Sequence, residues 1–207
     1  MTRNLVFLLF FLSSCAYVQY QNLPSVASKL IFGAENFIVD KNFYDSQPFS
    51  FAKVEVGRSG VSIFVLSKIN SNDEFIWVSA DNERLITKNG RIIALYSDRQ
   101  FSFNYLNRGV FDNFPMENTR EYLLQLEYPD AIFEQVASIE VLSHSEAVSR
   151  FDGFINTKLF IEEIKTQKLK WNYVNKYWQD NSNRVIKSTQ TLHPNLQRIS
   201  VNYYYKY

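Results

Sequence analysis

The chain has 207 residues and a nearly even charge balance, with 22 Lys and Arg against 21 Asp and Glu. That balance excludes the strongly basic surface with which nucleic-acid-binding proteins neutralise phosphates, so no nucleic-acid partner is expected. The sequence holds 18 Phe, 13 Tyr and 3 Trp but only 6 Gly and 5 Pro. This aromatic enrichment favours strands over helices, and the length suits one domain with a sizeable core.

The first 14 residues have the pattern of a secretory signal. Arg3 supplies a positive charge, residues 5–12 are an unbroken apolar run, and Ser13 and Ser14 are small. The apolar run is too short to cross a bilayer, which takes about 20 residues. Residues 1–14 are therefore predicted to be an export signal that is removed.

The single cysteine, Cys15, follows directly and completes the sequence LSSC. This is the pattern of a bacterial lipobox, in which the thiol is acylated; the alternative is a plain signal peptide with a chance cysteine. Two or three acyl chains anchor a protein stably. Because Ala16 stands where Asp would indicate retention in the inner membrane, Cys15 is predicted to hold the protein on the outer membrane, facing the periplasm.

Two segments are expected after the signal. Residues 15–45 would be a lipidated N-terminus and tether, with a short helix at 24–32 that begins at Pro24. Residues 46–207 would be one β-barrel domain.

The clearest element of that domain is a β-hairpin over residues 74–97. Asn89-Gly90 is typical of a two-residue type I′ turn, because both residues tolerate positive φ. The pairs predicted across the turn are Thr87–Ile92, Leu85–Ala94 and Ile86–Ile93.

Further strands are predicted at residues 61–66, 99–105, 120–126, 132–141, 157–165, 168–179, 184–192 and 197–206. Many antiparallel strands of this length indicate a sandwich or a closed barrel, and closure would remove the edge strands. Charged side chains interrupt the faces that a membrane-spanning barrel keeps apolar. A mainly β fold, an antiparallel soluble β-barrel, is therefore favoured.

Catalytic motifs are few. His144 and His193 have no second His or Cys at ligand spacing, so no metal and no cofactor is predicted. Glu162 and Glu163 are neighbours in a predicted strand and point to opposite faces, so they cannot form an acid–base pair on one substrate. No catalytic residue is predicted.

A better candidate for binding is the predicted hairpin 171–192, closed by residues 180–183. One face would carry four residues of the first strand together with Ile186, Ser188, Gln190 and Leu192 of the second. Aromatic faces beside amide and hydroxyl groups suit a sugar ring. The candidate glycan- or partner-contacting residues are Trp171, Tyr173, Asn175, Tyr177, Ser188 and Gln190. The same set equally describes a barrel interior whose buried Ser and Gln satisfy each other.

Five stretches of the chain resemble one family. They are PFSFA at 48–52, FIWVS at 75–79, LITKNGRI at 85–92, WNYVNKYWQD at 171–180 and VIKSTQTL at 185–192. In this order they are similar to the YjbF and GfcB (YmcC) outer-membrane lipoproteins, which are encoded with exopolysaccharide and group 4 capsule genes. The resemblance implies a YmcC-like antiparallel β-barrel and a role in making, exporting or retaining a surface polysaccharide. It attaches no catalytic residue to these motifs.

Three functions compete. The expected one is a non-enzymatic accessory factor for exopolysaccharide or capsule production or export, partnered by export proteins and in contact with the polysaccharide. A lipid or lipoprotein carrier would need an empty apolar cavity inside the barrel. A glycan-modifying enzyme would need two carboxylates that converge in one cleft.

Overall fold

The computed structural model describes residues 37–57, 60–97, 102–112, 118–127, 130–166, 170–192 and 196–206. The predicted signal segment, the lipidation site Cys15 and the predicted helix at 24–32 lie outside these residues.

The described residues form twelve strands. These are β1 (Phe51–Val56), β2 (Val61–Ile69), β3 (Phe75–Ser79), β4 (Arg84–Lys88), β5 (Arg91–Tyr96), β6 (Phe103–Tyr105), β7 (Asn118–Glu127), β8 (Asp130–Arg150), β9 (Gly153–Thr166), β10 (Trp171–Gln179), β11 (Val185–Gln190) and β12 (Ile199–Tyr204). Each strand pairs antiparallel with the next, and β12 pairs back with β1. The predicted antiparallel β-barrel is confirmed, and closure gives each strand two neighbours.

The predicted strands form, with bounds that differ by a few residues at most ends, and the largest departures concern β1 and β8. Strand β1 was not predicted as a strand of its own, although Ala52 and Val54 face the core and Lys53 faces outward. Residues 52–56 do alternate between apolar and charged side chains, so the signal for this strand was present in the sequence. Strand β8 continues nine residues beyond the predicted end at 141, because its second half pairs with the long partner strand β9.

The β4–β5 hairpin closes where the Asn89-Gly90 signal places it, with φ of 49° and 79° at these residues. The predicted Thr87–Ile92 pair is confirmed. The other two predicted pairs are wrong because the register shifts between Ile86 and Thr87, which leaves one extra residue on β5. The observed pairs are Ile86–Ala94 and Leu85–Leu95.

Inward-facing side chains fill the barrel. In β12, which lies within the predicted strand 197–206, Ile199, Val201 and Tyr203 lie on one face, and all three are buried in the core. Large aromatic side chains supply much of the interior; the fully buried ones in the core cluster are Trp77, Phe103, Tyr105, Phe111, Tyr122, Tyr177 and Tyr203. Each side chain of this size stabilises the fold by about 1.5–3 kcal/mol when it leaves water.

A second layer covers part of the outer wall. The helix α1 (Lys41–Ser46) packs over Phe51 of β1 and Tyr204 of β12, whose rings stack with centroids 4.7 Å apart. At the turn between β8 and β9, Phe151 stacks on Tyr44 of α1 at 4.4 Å. The outward face of β1 and β12 is therefore buried as well as the inward one.

Candidate functional site

The predicted contact residues of β10 and β11 lie inside the barrel. Asn175, Tyr177, Ser188 and Gln190 are fully buried, and Tyr173 is 8% exposed. Gln190 Nε2 donates to Ser188 Oγ at 2.9 Å, as expected for an interior in which Ser and Gln satisfy each other. Trp171 is half-buried, and its ring stacks on that of Tyr173 at 4.1 Å. Contact of these side chains with a glycan or a partner stays a prediction, and it would require the ligand to reach the interior.

One residue of the predicted face points outward. Ile186 was expected beside Ser188, but it packs with Trp178 in a separate cluster on the outer wall. The register between β10 and β11 shifts at Trp178, so Val185 takes the inward position. The turn at 180–183 forms as predicted, with Asn183 at φ 61°.

An ion pair lies at the centre of the barrel. Arg91 of β5 and Glu162 of β9 are both completely buried, and Arg91 Nη1 donates to Glu162 Oε2. The same carboxylate oxygen accepts from Tyr177 Oη and from Asn175 Nδ2, each at 2.9 Å. Glu162 Oε1 accepts from Tyr122 Oη, also at 2.9 Å. Both oxygens are therefore hydrogen-bonded, which a carboxylate away from water requires.

Aromatic rings and phenol oxygens surround the arginine. Arg91 Nη2 donates to Tyr105 Oη at 3.1 Å, and Nη1 donates to Tyr177 Oη at 3.0 Å. The guanidinium carbon lies 4.5 Å from the ring centre of Tyr122 and 4.8 Å from that of Phe111. At these distances a desolvated cation is attracted to the ring face.

The arginine and the tyrosines of this site have pKa values that differ from their usual ones. Burial lowers the pKa of Arg91, but the Glu162 carboxylate and the neighbouring tyrosines outweigh it and hold that pKa well above its usual value. Burial raises the pKa of Tyr177 and of Tyr105. The arginine therefore stays charged and the phenols stay protonated donors across the physiological range.

The polar network extends from this centre in two directions. On one side, Gln135 Oε1 accepts from Tyr105 Oη at 3.2 Å and from Tyr173 Oη at 3.3 Å. On the other side, Gln190 Nε2 donates to the carbonyl of Gly90 at 3.0 Å, and Gln190 Oε1 accepts from Ile92 N at 2.9 Å. Side chains of β5, β6, β7, β8, β9, β10 and β11 are thus linked through one network across the interior.

The residues at the centre of this network are not predicted from the sequence. Arg91 lies in the predicted hairpin, and Glu162 belongs to the rejected Glu162–Glu163 acid–base pair. The available signal was a charge at an inward position of a strand, since Phe160, Glu162 and Ile164 alternate toward the core. A buried charge requires a partner, but the partner lies 71 positions away in the chain.

The hydrogen bonds to both carboxylate oxygens of Glu162 limit the chemistry that the site can perform. Among the described residues, Glu74 and Glu162 are the buried carboxylates, and an arginine binds each of them. Glu163 is exposed on the opposite face from Glu162, as predicted. No group of three or more His, Cys, Asp or Glu in the described part of the chain could hold a metal ion. None of the helices within these residues is long and apolar enough to span a membrane.

One known protein family matches part of the barrel. Residues 103–203 match the family model described as YjbF, group 4 capsule polysaccharide lipoprotein gfcB. The predicted resemblance to the YjbF family is confirmed over this range. The matched range runs from β6 almost to the end of β12, so it includes Tyr105, Tyr122 and Glu162 of the network. Arg91 lies N-terminal to the YjbF match.

One solved structure shows the same fold. The hypothetical lipoprotein YmcC from Escherichia coli (K12) superimposes with a TM-score of 0.71 at 15% sequence identity, covering 88% of this chain and 95% of the other. A candidate lipoprotein from Parabacteroides distasonis ATCC 8503 matches with a TM-score of 0.35 at 8% identity, covering 76% and 94%. A comparison with curated proteins gave no match. The superposition on YmcC confirms the predicted YmcC-like fold of this chain.

Proposed function

We propose that this protein is a lipid-anchored accessory factor, without catalytic activity of its own, in the production or export of a capsule or exopolysaccharide. The observation that carries the proposal is the hydrogen-bonded ion pair inside a barrel whose residues 103–203 match the model of a group 4 capsule polysaccharide lipoprotein family. Cys15 would carry the lipid, which would be inserted in the outer membrane, and the barrel would face the periplasm. Its partners would be polysaccharide-export proteins.

The interior argues against a carrier of acyl chains. An acyl chain needs an apolar cavity, but the middle of this barrel holds the buried Arg91–Glu162 pair and the phenols that bind it. Replacing those contacts by a hydrocarbon would leave two charges unsatisfied, at a cost of several kcal/mol for each ion.

The interior also argues against a glycan-modifying enzyme. A glycosidase needs a pair of carboxyl groups that face the same substrate bond, one of them free to exchange a proton. Glu162 is completely buried and accepts four hydrogen bonds, from Arg91, Tyr122, Asn175 and Tyr177. Its oxygens are therefore committed to the fold, and the outer surface and the loops are left for contact with partners.

The test is the amount of cell-surface polysaccharide in a strain that lacks this gene. The strain is complemented with the wild-type gene, with Cys15→Ala, and with Glu163→Gln as a control on the exposed barrel wall. Cell fractionation reports whether each variant is exported and membrane-bound. We expect the wild type and Glu163→Gln to restore polysaccharide, and Cys15→Ala to be exported but to fail.

Two results would contradict the proposal. Unchanged polysaccharide in the deletion strain would remove the role in polysaccharide production. Full restoration by an exported, unanchored Cys15→Ala protein would remove the requirement for the lipid.

A further inference from the structure

A polar cleft opens at the end of the barrel where β1 begins. It has a volume of about 520 Å³ and is lined by residues 71–74 of the β2–β3 loop, 88–89 of the β4–β5 turn, and 108, 109 and 112 of the short 3₁₀ turn before β7. This volume lies within the range of about 300–1,000 Å³ that is usual for small-molecule sites. The cleft is separate from the central ion pair and uses none of its side chains.

The inner wall of the cleft is held by a charged contact. Glu74 is only 4% exposed, and its Oε2 accepts from Arg108 Nη1 at 3.0 Å and from Asn70 Nδ2 at 2.8 Å. Arg108 also donates from Nε to the carboxamide oxygen of Asn104, at 3.1 Å. The positions of these polar groups are therefore fixed within the protein itself, which lowers the entropy lost when a ligand is bound.

The opposite wall is held in a similar way. Lys88 Nζ donates to Asp112 Oδ1, and the Lys88 side chain is 7% exposed while that of Asp112 is 60% exposed. Asn89 Nδ2 donates to the carbonyl oxygens of Phe111 and Asp112, at 3.0 and 3.2 Å, and so fixes the 3₁₀ turn against the hairpin. Asp112 therefore keeps an exposed carboxylate oriented toward the cleft.

The charges of the lining select the kind of ligand. Three carboxylates, of Asp73, Glu74 and Asp112, face two cations, Lys88 and Arg108. Each of these cations already contacts a carboxylate, so an acidic ligand would meet a net negative lining. Carboxylate and carboxamide oxygens accept hydrogen bonds from hydroxyl groups, so a neutral, hydroxyl-rich molecule fits this lining.

An aromatic surface adjoins the cleft. Asn89 also lines a smaller cavity of about 80 Å³, whose wall includes Phe75 and Tyr205. These rings lie edge to face with centroids 6.1 Å apart. The C–H face of a sugar ring packs on such rings while its hydroxyl groups reach polar neighbours.

We propose that this cleft binds a neutral segment of the polysaccharide, through Asp73, Asp112 and Asn72 on the rim and Phe75 and Tyr205 beside it. The inference rests on the proposed function, because it names the part of the polysaccharide that the accessory factor contacts. It differs from the earlier prediction for β10 and β11, whose polar side chains are inside the barrel.

The test measures binding of oligosaccharides to the full mature lipoprotein in detergent. Surface polysaccharide of the wild-type strain is partially hydrolysed and separated by anion exchange into neutral and acidic fractions, and calorimetry gives the affinity for each. The variant combines Asn72→Ala, Asp73→Asn and Asp112→Asn; Asn retains the positive φ of 56° that Asp73 adopts. The control is Glu163→Gln, which removes one exposed carboxylate from the barrel wall.

We expect the neutral fraction to bind the wild type and the control with equal affinity, and the combined variant at least about tenfold more weakly. Undiminished binding by the combined variant, tighter binding of the acidic fraction, or no binding of either fraction would overturn the cleft assignment. The deletion strain separates the two proposals. If the combined variant restores polysaccharide as well as the wild type does and neither protein binds the oligosaccharides, the cleft assignment fails while the accessory role stands.

Discussion

Arg91 and Glu162 stand 71 positions apart in the chain and form a completely buried ion pair at the centre of the barrel. Glu162 also accepts hydrogen bonds from Tyr122, Asn175 and Tyr177, so the pair joins strands that are distant along the sheet. Such a pair contributes little net stability compared with apolar residues of the same volume, but losing one partner is costly.

Substitution of one member of this pair should therefore destabilise the protein strongly. We expect Glu162→Gln to lower the free energy of unfolding by about 3–5 kcal/mol, because it leaves the Arg91 charge buried without its counter-ion. Urea unfolding then compares the wild type, Arg91→Met, Glu162→Met and the double variant that carries both changes. The double variant should lose less unfolding free energy than the two single variants lose together. Glu163→Gln, on the exposed face of the same strand, should change the free energy by no more than about 0.5 kcal/mol. Additive single substitutions would show that the two residues are not coupled.

The phenol of Tyr177 should contribute through its hydrogen bond to Glu162. Tyr177→Phe keeps the ring and removes the donor, which we expect to cost about 1–3 kcal/mol of unfolding free energy because the acceptor is a buried charge. Tyr96→Phe is the matched control, since Tyr96 is 36% exposed. Equal losses in the two variants would refute a special role for the buried phenol.

The buried tyrosines predict loss of stability at alkaline pH. Burial raises the pKa of Tyr105, Tyr122, Tyr173, Tyr177 and Tyr203 above the usual value of 10.0. A group whose pKa is higher in the folded state contributes stability that is complete below its unfolded pKa and is lost as the pH rises toward the folded value. The free energy of unfolding should therefore fall above about pH 10.

Absorbance at 295 nm during an alkaline titration checks this expectation. The five buried tyrosines should ionise only as the circular dichroism of the barrel is lost. Ionisation of all 13 tyrosines in a single step in the folded protein would contradict it.

The β4–β5 turn requires glycine at position 90. Gly90 has φ of 79°, and an added Cβ would lie 2.3 Å from a side-chain carbon of Val185. We expect Gly90→Ala to lower the free energy of unfolding by at least about 1–2 kcal/mol from the backbone strain alone. Gly109→Ala is the control, because a Cβ at Gly109 would meet no atom within 4 Å. Chemical denaturation of both variants provides the comparison, and equal stability would count against the turn geometry.

Local patterns determined which segments of this chain become strands. The Asn89-Gly90 turn, the alternation along β12 and the aromatic content are properties of neighbouring residues, so they can be recognised from the sequence. The family resemblance could be recognised for the same reason, since its motifs are contiguous stretches. The bulges could not be predicted from neighbouring residues, because a register shift depends on packing against the partner strand. They moved Leu85, Ile86 and Ile186 out of their predicted places.

Contiguous sequence patterns predict an antiparallel β protein that resembles the YjbF family, with a lipobox-like start and no conventional catalytic motif. The closed barrel was needed to show that the polar face of β10 and β11 points inward, and that Arg91 meets Glu162 there. It also brought residues 71–74 and 88–89 together with 108, 109 and 112 at one end of the barrel. The physical reason is that closure of the sheet sets which face is inside and which loops become neighbours, and these contacts join residues that are far apart in the chain.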